Sequence, residues 1–346
     1  MVQKETITKS GIGEGVSVII PAYNAAEWLE PTTNKIDEAL IRAKIKDAEI
    51  IIIDDGSSDG TYATAQKLEA SVPVHALTQP NQGRFLTRKR GVRIAKYPTI
   101  FFVDTRVWID NNSLKYVLEQ QHQHPERLVW NGDVEVHKKG NIIARFGDAV
   151  TRIGWRRYHG NPRLLSYDII DFDHYPKGTG IFIAPKSLLT QAIRWFESQT
   201  KDIKNSSDDT LLIRYIAERE RIWISPGFTS LYFARTTLKG FIGHTYHRGM
   251  FFVDGFLRPG TRFYYPLVGF LAISFISVIT LIFIPAVIPF ALIILSMLWV
   301  LELLIALCLC IGAKDSLSLF LLTPVFALFY GLGIWRAIIH RTFIKK

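Results

Sequence analysis

Four short apolar runs divide the chain before Arg106, and each leads to a cluster of polar or turn-forming side chains. The run from Val16 is stopped by Pro21 and leads to Tyr23-Asn24. Glu49 to Ile53 leads to Asp54-Asp55-Gly56-Ser57-Ser58-Asp59-Gly60. Val72 to Leu77 leads to Thr78-Gln79-Pro80-Asn81-Gln82-Gly83, and Thr99 to Val103 leads to Asp104-Thr105-Arg106. A continuous β-branched stretch such as Ile50 to Ile53 reads as a strand buried on both faces, as in a parallel sheet covered by helices. Between the runs the spacing becomes helical. Trp28, Leu29, Ile36, Leu40, Ile41 and Ile45 predict a helix over 25–47, with a break near Pro31. A second helix is predicted from about Asp59 to Ala70, with Ser58 or Asp59 as its N-cap, and a third from about Arg84 to Lys96. Strands alternating with helices predict an α/β fold: a mostly parallel sheet with helices on both faces.

In such a sheet the carboxyl ends of the strands share one edge, where ligands bind. That edge would collect Tyr23, Asn24, Asp54, Asp55, Arg84, Arg88, Asp104 and Arg106. Carboxylates hydrogen-bond a ribose and guanidinium groups grip phosphates in bidentate fashion, so a nucleotide with an attached group suits the set. The plainer reading of Asp54 to Gly60 is a strand-to-helix turn, since Asp, Gly and Ser are ordinary turn residues.

Farther along, Arg127 to Val136 reads as a strand with Asn131-Gly132 in or beside it. The stretch 138–177 has little periodicity and reads as an acceptor loop or a solvated connection. Gly178 to Ala184 predicts a short strand whose glycines let a ligand approach the backbone. Asn205 to Ile213 opens a helix with acidic residues. Ser207 or Asp208 can serve there as N-cap and Asp209 as a first-turn carboxylate, or the acidic pair can carry chemistry.

Hydropathy changes character after Arg262. No Asp, Glu, Lys or Arg occurs from Phe263 to Leu301, and a second uncharged run covers Ser316 to Trp335. The pattern gives three candidate membrane spans, 265–284, 286–311 and 317–335, with Pro285 and Pro289 marking a turn. A basic tail after Trp335 argues for an arrangement in which two of them cross and the first lies in the interface or is re-entrant, yet the first is as apolar as the others, so two and three crossings both stand. The expected organisation is a domain over 1–232, a juxtamembrane segment over 233–262 and a membrane region over 263–346. Thr237 to Gly255 carries His244, His247 and Arg248 among aromatics and reads as a phosphate or metal site, or as an interfacial helix facing headgroups.

Formal net charge is +10. Much of the excess flanks the apolar runs, at Arg258, Arg262, Arg336, Arg341, Lys345 and Lys346, which points to anionic headgroups and away from nucleic acid. Cys308 and Cys310 fall within an apolar run and form neither a disulfide framework nor a metal site. Met1 to Gly15 is polar, without the apolar core of a signal peptide, so the first domain is expected in the cytoplasm.

Taken in order, VSVIIPAYNAAEWL, EIIIIDDGSSDGT, NQGRFLTRKRGV and TIFFVDTRV resemble the opening of the family 2 glycosyltransferases with the GT-A fold. The resemblance implies that Pro21, Tyr23 and Asn24, with Asp54 or Asp55, hold the base and ribose of a nucleotide sugar such as a UDP- or GDP-sugar. The family pattern N-x-G-x-x-x-A-R-N-x-G places Asn81, Gly83, Thr87, Arg88, Lys89 and Gly91, with Lys89 in place of Asn. The family's Asp-x-Asp, which binds Mg²⁺ or Mn²⁺ on the donor diphosphate, stands here as Asp104-Thr105-Arg106. Arg106 offers a cation no oxygen. Three arrangements follow: Asp104 holds the metal with water, phosphate and a histidine such as His244 or His247; Arg106 neutralises the leaving diphosphate; or Arg106 turns to a neighbouring carboxylate and the chemistry is lost.

By the same resemblance Asp208-Asp209 is similar to the family's acidic pair, with Asp209 as catalytic base of an inverting transfer. The Gln-x-x-Arg-Trp of processive relatives corresponds to Thr245, Arg248 and Gly249, so processive synthesis is not expected. The implied protein is a multi-pass membrane glycosyltransferase of cell-envelope polysaccharide synthesis. Its acceptor would be membrane-associated, polyprenyl-linked or another glycan. A polyprenyl-phosphate sugar synthase and an inactive sugar-nucleotide binder are the alternatives.

Overall fold

The structure is a computed structural model and describes residues 10–138, 140–199, 208–309, 312–340 and 342. The chain divides into two compact units, Met1–Glu135 with Trp155–Phe233, and Val136–Gly154 with Ala234–Lys346.

The first unit begins with β1 (Val16–Ala22), α1 (Ala26–Ala43), β2 (Ala48–Asp54), α2 (Thr61–Ala65), β3 (Val74–Thr78), α3 (Arg84–Ile94) and β4 (Thr99–Val103). β5 (Val107–Ile109), α4 (Ser113–Gln123), β6 (Val129–Asn131) and β7 (Asp133–Val136) follow. The chain then forms α5 (Ile142–Gly154) in the second unit and returns through α6 (Arg156–His159), β8 (Leu165–Tyr167), β9 (Ile181–Pro185), α7 (Lys186–Gln199), α8 (Asp208–Ala217), β10 (Ile222–Ile224) and β11 (Thr229–Tyr232). Among the described residues the strands form one sheet in the order β3-β2-β1-β4-β9-β6-β10-β8 and a small sheet in the order β5-β11-β7.

β3, β2, β1 and β4 are mutually parallel, as their β-branched runs predict. Side chains along β2 alternate between the two faces: Ile51 and Ile53 pack in one apolar cluster with α3, α7 and α8, and Ile50 and Ile52 in the other with α1 and α4. β9 then runs antiparallel to β4 and β6. This reversal positions the site, because the residues entering β9 lie where β4 ends: the Asp104 amide donates to Gly180 O over 2.9 Å. β10 is parallel to β6, so α8, which leads into β10, starts at that same carboxyl edge.

Several local expectations change. β1 continues through Pro21, because its ladder to β4 ends at Ile19 and the missing N–H is not needed there. α1 is continuous across Pro31, forgoing only the bond to Glu27 O. α2 is only Thr61–Ala65, and neither Ser58 nor Asp59 caps it as N-cap; Gly60 holds that place, while Asp59 accepts from the Thr61 amide. The expected strand 127–136 is two strands in two sheets. They part at Gly132, where a Cβ would lie 2.4 Å from Ile181 Cγ2. The stretch 138–177 is largely structured, through α5, α6 and β8.

In the second unit, α9 (Leu238–Phe256), α10 (Tyr264–Phe283), α11 (Ile288–Cys308) and α12 (Ala313–Ile339) follow one another. Three segments, Tyr264–Phe283, Pro285–Cys308 and Ala313–Ile339, are long and apolar enough to cross a membrane. α9 buries Phe241, Thr245, Gly249 and Val253, one residue every four, against α12. The approach is backbone to backbone: a Cβ on Gly249 would lie 2.1 Å from Tyr330 O, and one on Gly333 would lie 2.1 Å from Tyr246 O. α5 carries Asp148 and Arg145 to the start of α12, where Lys138 Nζ lies 2.7 Å from Asp148 and 3.4 Å from Asp315, and Arg145 lies 2.9 Å from Asp315. Within α12, Pro324 cannot donate to Phe320 O. The Trp299 indole N–H of α11 takes that carbonyl, and one turn on, Thr323 Oγ1 donates to Glu302 Oε1 over 2.5 Å.

Candidate active site

The carboxyl edge of β1, β2 and β4 is built from three turns that fasten one another. After β1, Asn24 takes a left-handed conformation (φ 47°), which Asn tolerates better than most residues. Its amide donates to Ser57 Oγ over 2.8 Å and its Oδ1 accepts from the Ser58 amide over 3.0 Å. The neighbouring Tyr23 stands 54% exposed at the rim. Gly56 is obligatory at its position: φ is +74° and a Cβ would meet the Asn81 amide nitrogen at 2.7 Å.

The paired aspartates after β2 differ in what they hold. Asp54 Oδ1 accepts from the Ser57 amide and Oδ2 from Thr78 Oγ1, so this buried carboxylate closes its own turn and ties β2 to β3. Asp55 accepts from Gln79 Nε2 and the Gln82 amide on Oδ1 and from the Gly83 amide on Oδ2, all between 2.8 and 2.9 Å. It shapes the turn that starts α3. These contacts are those of the turn-residue reading of this stretch.

Arg84 and Arg88 lie one turn apart on α3. Arg88 is 1% exposed, and its guanidinium is shared: Nη2 donates to Asp104 Oδ1 and Nη1 to Asp209 Oδ1, each over 2.8 Å. Thr179 Oγ1, entering β9, donates to the same Asp209 oxygen over 2.5 Å. Burial by itself would raise the Asp209 pKa. The Arg88 and Arg84 guanidinium charges, with the hydrogen bonds from Thr179 and Arg88, outweigh it and hold the carboxyl below its usual range. Asp209 is therefore an ionised acceptor at neutral pH. Asp208 opens α8, and its side chain lies outside the described residues, as does Ser207.

Arg106 takes a different direction. Its guanidinium sits 4.5 Å from the centre of the Trp28 ring and 3.8 Å from Glu27 Oε1, while Trp28 and Trp108 both pack on Phe233. It faces a neighbouring carboxylate and an aromatic ring, the direction that the third arrangement gave it, and nothing in that contact bears on whether the chemistry is kept. Lys89, which stands where the family pattern has Asn, pairs with Glu197.

The donor set for a divalent cation is thin. Arg106 contributes no oxygen, Asp104 already receives Arg88, and no group of three or more His, Cys, Asp or Glu side chains clusters among the described residues. Among the described residues the protein by itself offers no cluster of ligands for a cation, and no step of the proposed reaction runs through a metal. His244, His247 and Arg248 belong to the second unit, on the exposed side of α9 away from the stripe that packs on α12.

Residues 17–166 match the model of the Glycosyl transferase family 2. The chain carries a family 2 glycosyltransferase domain. Poly-beta-1,6-N-acetyl-D-glucosamine synthase of Staphylococcus aureus (strain COL) is 26% identical to it over 133 residues, 38% of this chain and 31% of that protein. The synthase of Staphylococcus epidermidis is 24% identical over the same number of residues. The matched region thus spans about a third of the length of these curated relatives. A crystal structure of S. aureus TarS 1-349 in complex with UDP-GlcNAc superposes with a TM-score of 0.50 at 15% identity, over 69% of this chain and 67% of that one. This shared fold is the GT-A fold, with its mixed sheet and flanking helices.

Thr179, Gln79 and the amides of Gln82 and Gly83 are site residues that sequence reasoning missed. Thr179 stands between two glycines directly before an apolar run, and the glycines alone drew notice. Gln79 is one polar residue among several in a turn, with no local mark of its bond to Asp55.

Proposed function

We propose that the protein is a membrane-bound inverting glycosyltransferase that moves a sugar from a nucleotide-diphosphate sugar to a membrane-associated, polyprenyl-linked acceptor. The observation that carries this reading is the convergence of Asp104 and Asp209 on the Arg88 guanidinium at the carboxyl edge of the family 2 domain. The domains of the poly-N-acetylglucosamine synthases and the UDP-GlcNAc bound to TarS support a UDP-sugar, UDP-GlcNAc first among them, as donor. The three long apolar helices support an acceptor met at the bilayer surface, with the domain on the cytoplasmic side.

In this reading Tyr23, Asn24 and the turn fastened by Asp54 and Asp55 frame the nucleotide, with Pro21 beneath them in β1. Asp209 takes the proton of the acceptor hydroxyl. The acceptor oxygen then bonds to the anomeric carbon, and the bond from that carbon to the diphosphate breaks with its electron pair leaving on the diphosphate. Arg84 lies near enough to influence Asp209 electrostatically and is the cation proposed to meet the departing charge. His244, His247 and Arg248 are proposed to face lipid phosphates, a role that their exposed side of α9 supports.

The test uses the full chain in detergent or liposomes with radiolabelled UDP-GlcNAc, other nucleotide sugars and a lipid extract. Labelled lipid is the expected product, and Asp209→Asn is expected to abolish its formation while leaving donor binding in place. Undiminished turnover by that variant removes Asp209 from the mechanism. Label that stays in the aqueous phase with every donor removes the lipid acceptor.

A further inference from the structure

Asp209 receives both of its hydrogen bonds among the described residues on one oxygen. Arg88 Nη1 and Thr179 Oγ1 donate to Oδ1, at 2.8 and 2.5 Å. A carboxylate fastened through one oxygen has a fixed plane, and its second oxygen keeps its lone pairs for an incoming proton.

The two fasteners differ in kind and are both rigid. Arg88 is enclosed in the core of the first unit, with its guanidinium plane set by Asp104 on the other side and the Phe102 ring at 5.9 Å. Thr179 is 1% exposed, and its backbone is pinned on both flanks. The Gly178 amide donates to Asn131 Oδ1 over 3.1 Å, and Gly180 O accepts from the Asp104 amide over 2.9 Å. A threonyl hydroxyl has one proton, and here Oδ1 of Asp209 takes it.

We infer that Thr179 and Arg88 are positioning residues that clamp Asp209 through Oδ1 and leave Oδ2 as the atom that accepts the proton of the acceptor hydroxyl. The inference rests on the reading of Asp209 as the base. In the step itself the proton passes from the acceptor oxygen to Oδ2, and no other group changes its bonding at Asp209. Arg88 stays protonated and Thr179 keeps its hydrogen throughout. Among the described residues, the charged and titratable groups facing Asp209 are Arg88 and Arg84 from α3, with Asp104 sharing the Arg88 guanidinium.

The test compares Thr179→Val, which keeps the shape and removes the hydroxyl, with Thr179→Ser, which keeps the hydroxyl. Loss of a hydrogen bond to a charged group is expected to lower kcat of Thr179→Val by roughly tenfold to a hundredfold, with donor KM within about twofold. Because the lost donor favours the carboxylate, the acidic limb of the kcat profile moves to higher pH in that variant. Thr179→Ser is expected to keep kcat within about threefold and the wild-type limb. Wild-type kcat and pH profile in Thr179→Val overturn the inference. So does equal impairment of both variants with equal loss of thermal stability, which marks a packing role. Asp209→Asn is measured beside them. If it is inactive while Thr179→Val behaves as wild type, only the clamp falls; if it turns over, the base assignment and the clamp fall together.

Discussion

Arg88 on α3 and Asp209 on α8 stand 121 positions apart in sequence and meet at 2.8 Å, with Asp104 held on the other side of the same guanidinium. One buried cation thus joins the end of β4, the first helix after the glycine-rich turn and the start of α8. The ion pair holds Asp209 ionised. Its carboxyl pKa lies below that of an unfolded aspartate, so the pairing stabilises the fold above about pH 4 and is lost as pH falls through the folded value.

Replacing Arg88 by Ala leaves Asp104 and Asp209 facing each other without the cation. Breaking a buried pair from one side costs about 3–5 kcal/mol. Chemical denaturation of the purified protein is expected to show a loss of that order at pH 7. The loss should shrink as pH falls and the Asp209 carboxyl that the cation holds ionised takes up a proton. A loss that does not vary with pH would mean that Arg88 acts only by filling space.

Asp55 accepts three bonds, two of them from the backbone of the turn before α3. Asp55→Asn replaces one acceptor oxygen by a donor, so one of these groups loses its partner, at a cost of about 1–3 kcal/mol. The expected outcome is a weakened donor-induced thermal shift, because the turn carrying Gly83 and Arg84 loosens. An unchanged shift would separate this turn from donor binding.

Chelation tests the thin oxygen set around Asp104. The thermal shift given by UDP-GlcNAc is expected to survive EDTA to within about twofold in apparent affinity, since in the proposed reading the Arg84 guanidinium offsets phosphate charge without an ion. A shift that vanishes with EDTA and returns with Mn²⁺ would show that Asp104 and the diphosphate recruit a metal between them.

Gly249 and Gly333 let α9 and α12 touch through their backbones. Ala at either position places a methyl 2.1 Å from a carbonyl oxygen that has no way to rotate aside. Either substitution is expected to part the helices and lower the melting temperature in detergent. Gly243→Ala, on the open side of α9, where a Cβ meets nothing within 4 Å, is the control and should leave it unchanged or slightly raised. Equal effects from all three would refute a close crossing.

Trp299 takes the Phe320 carbonyl that Pro324 leaves without an amide partner. Trp299→Phe is expected to destabilise the wild type by about 0.5–1.5 kcal/mol and to cost much less in a Pro324→Ala background, where residue 324 can donate to that carbonyl itself. Equal costs in both backgrounds would show that the indole contributes packing alone.

Much of the first unit was legible in the sequence. The runs of Ile50 to Ile53 and Ile100 to Val103 are apolar on every residue, which only a strand covered on both faces accommodates, and Asp54, Asp55 and Asp104 follow them without a gap. Local chemistry of that kind fixes element type and places Asp, Gly and Ser at the sheet edge. The three apolar helices were legible for the same reason, since uncharged runs of that length give helices long and apolar enough to cross a membrane. Which groups meet at the edge was decided only in three dimensions. The antiparallel setting of β9 delivers Thr179 to the end of β4, the buried Arg88 selects Asp104 and Asp209 as its partners, and Arg106 turns aside to Trp28. Hydrophobic periodicity reports burial along one segment at a time; the pairing of charges across segments depends on strand order and direction, which no single stretch of the chain encodes.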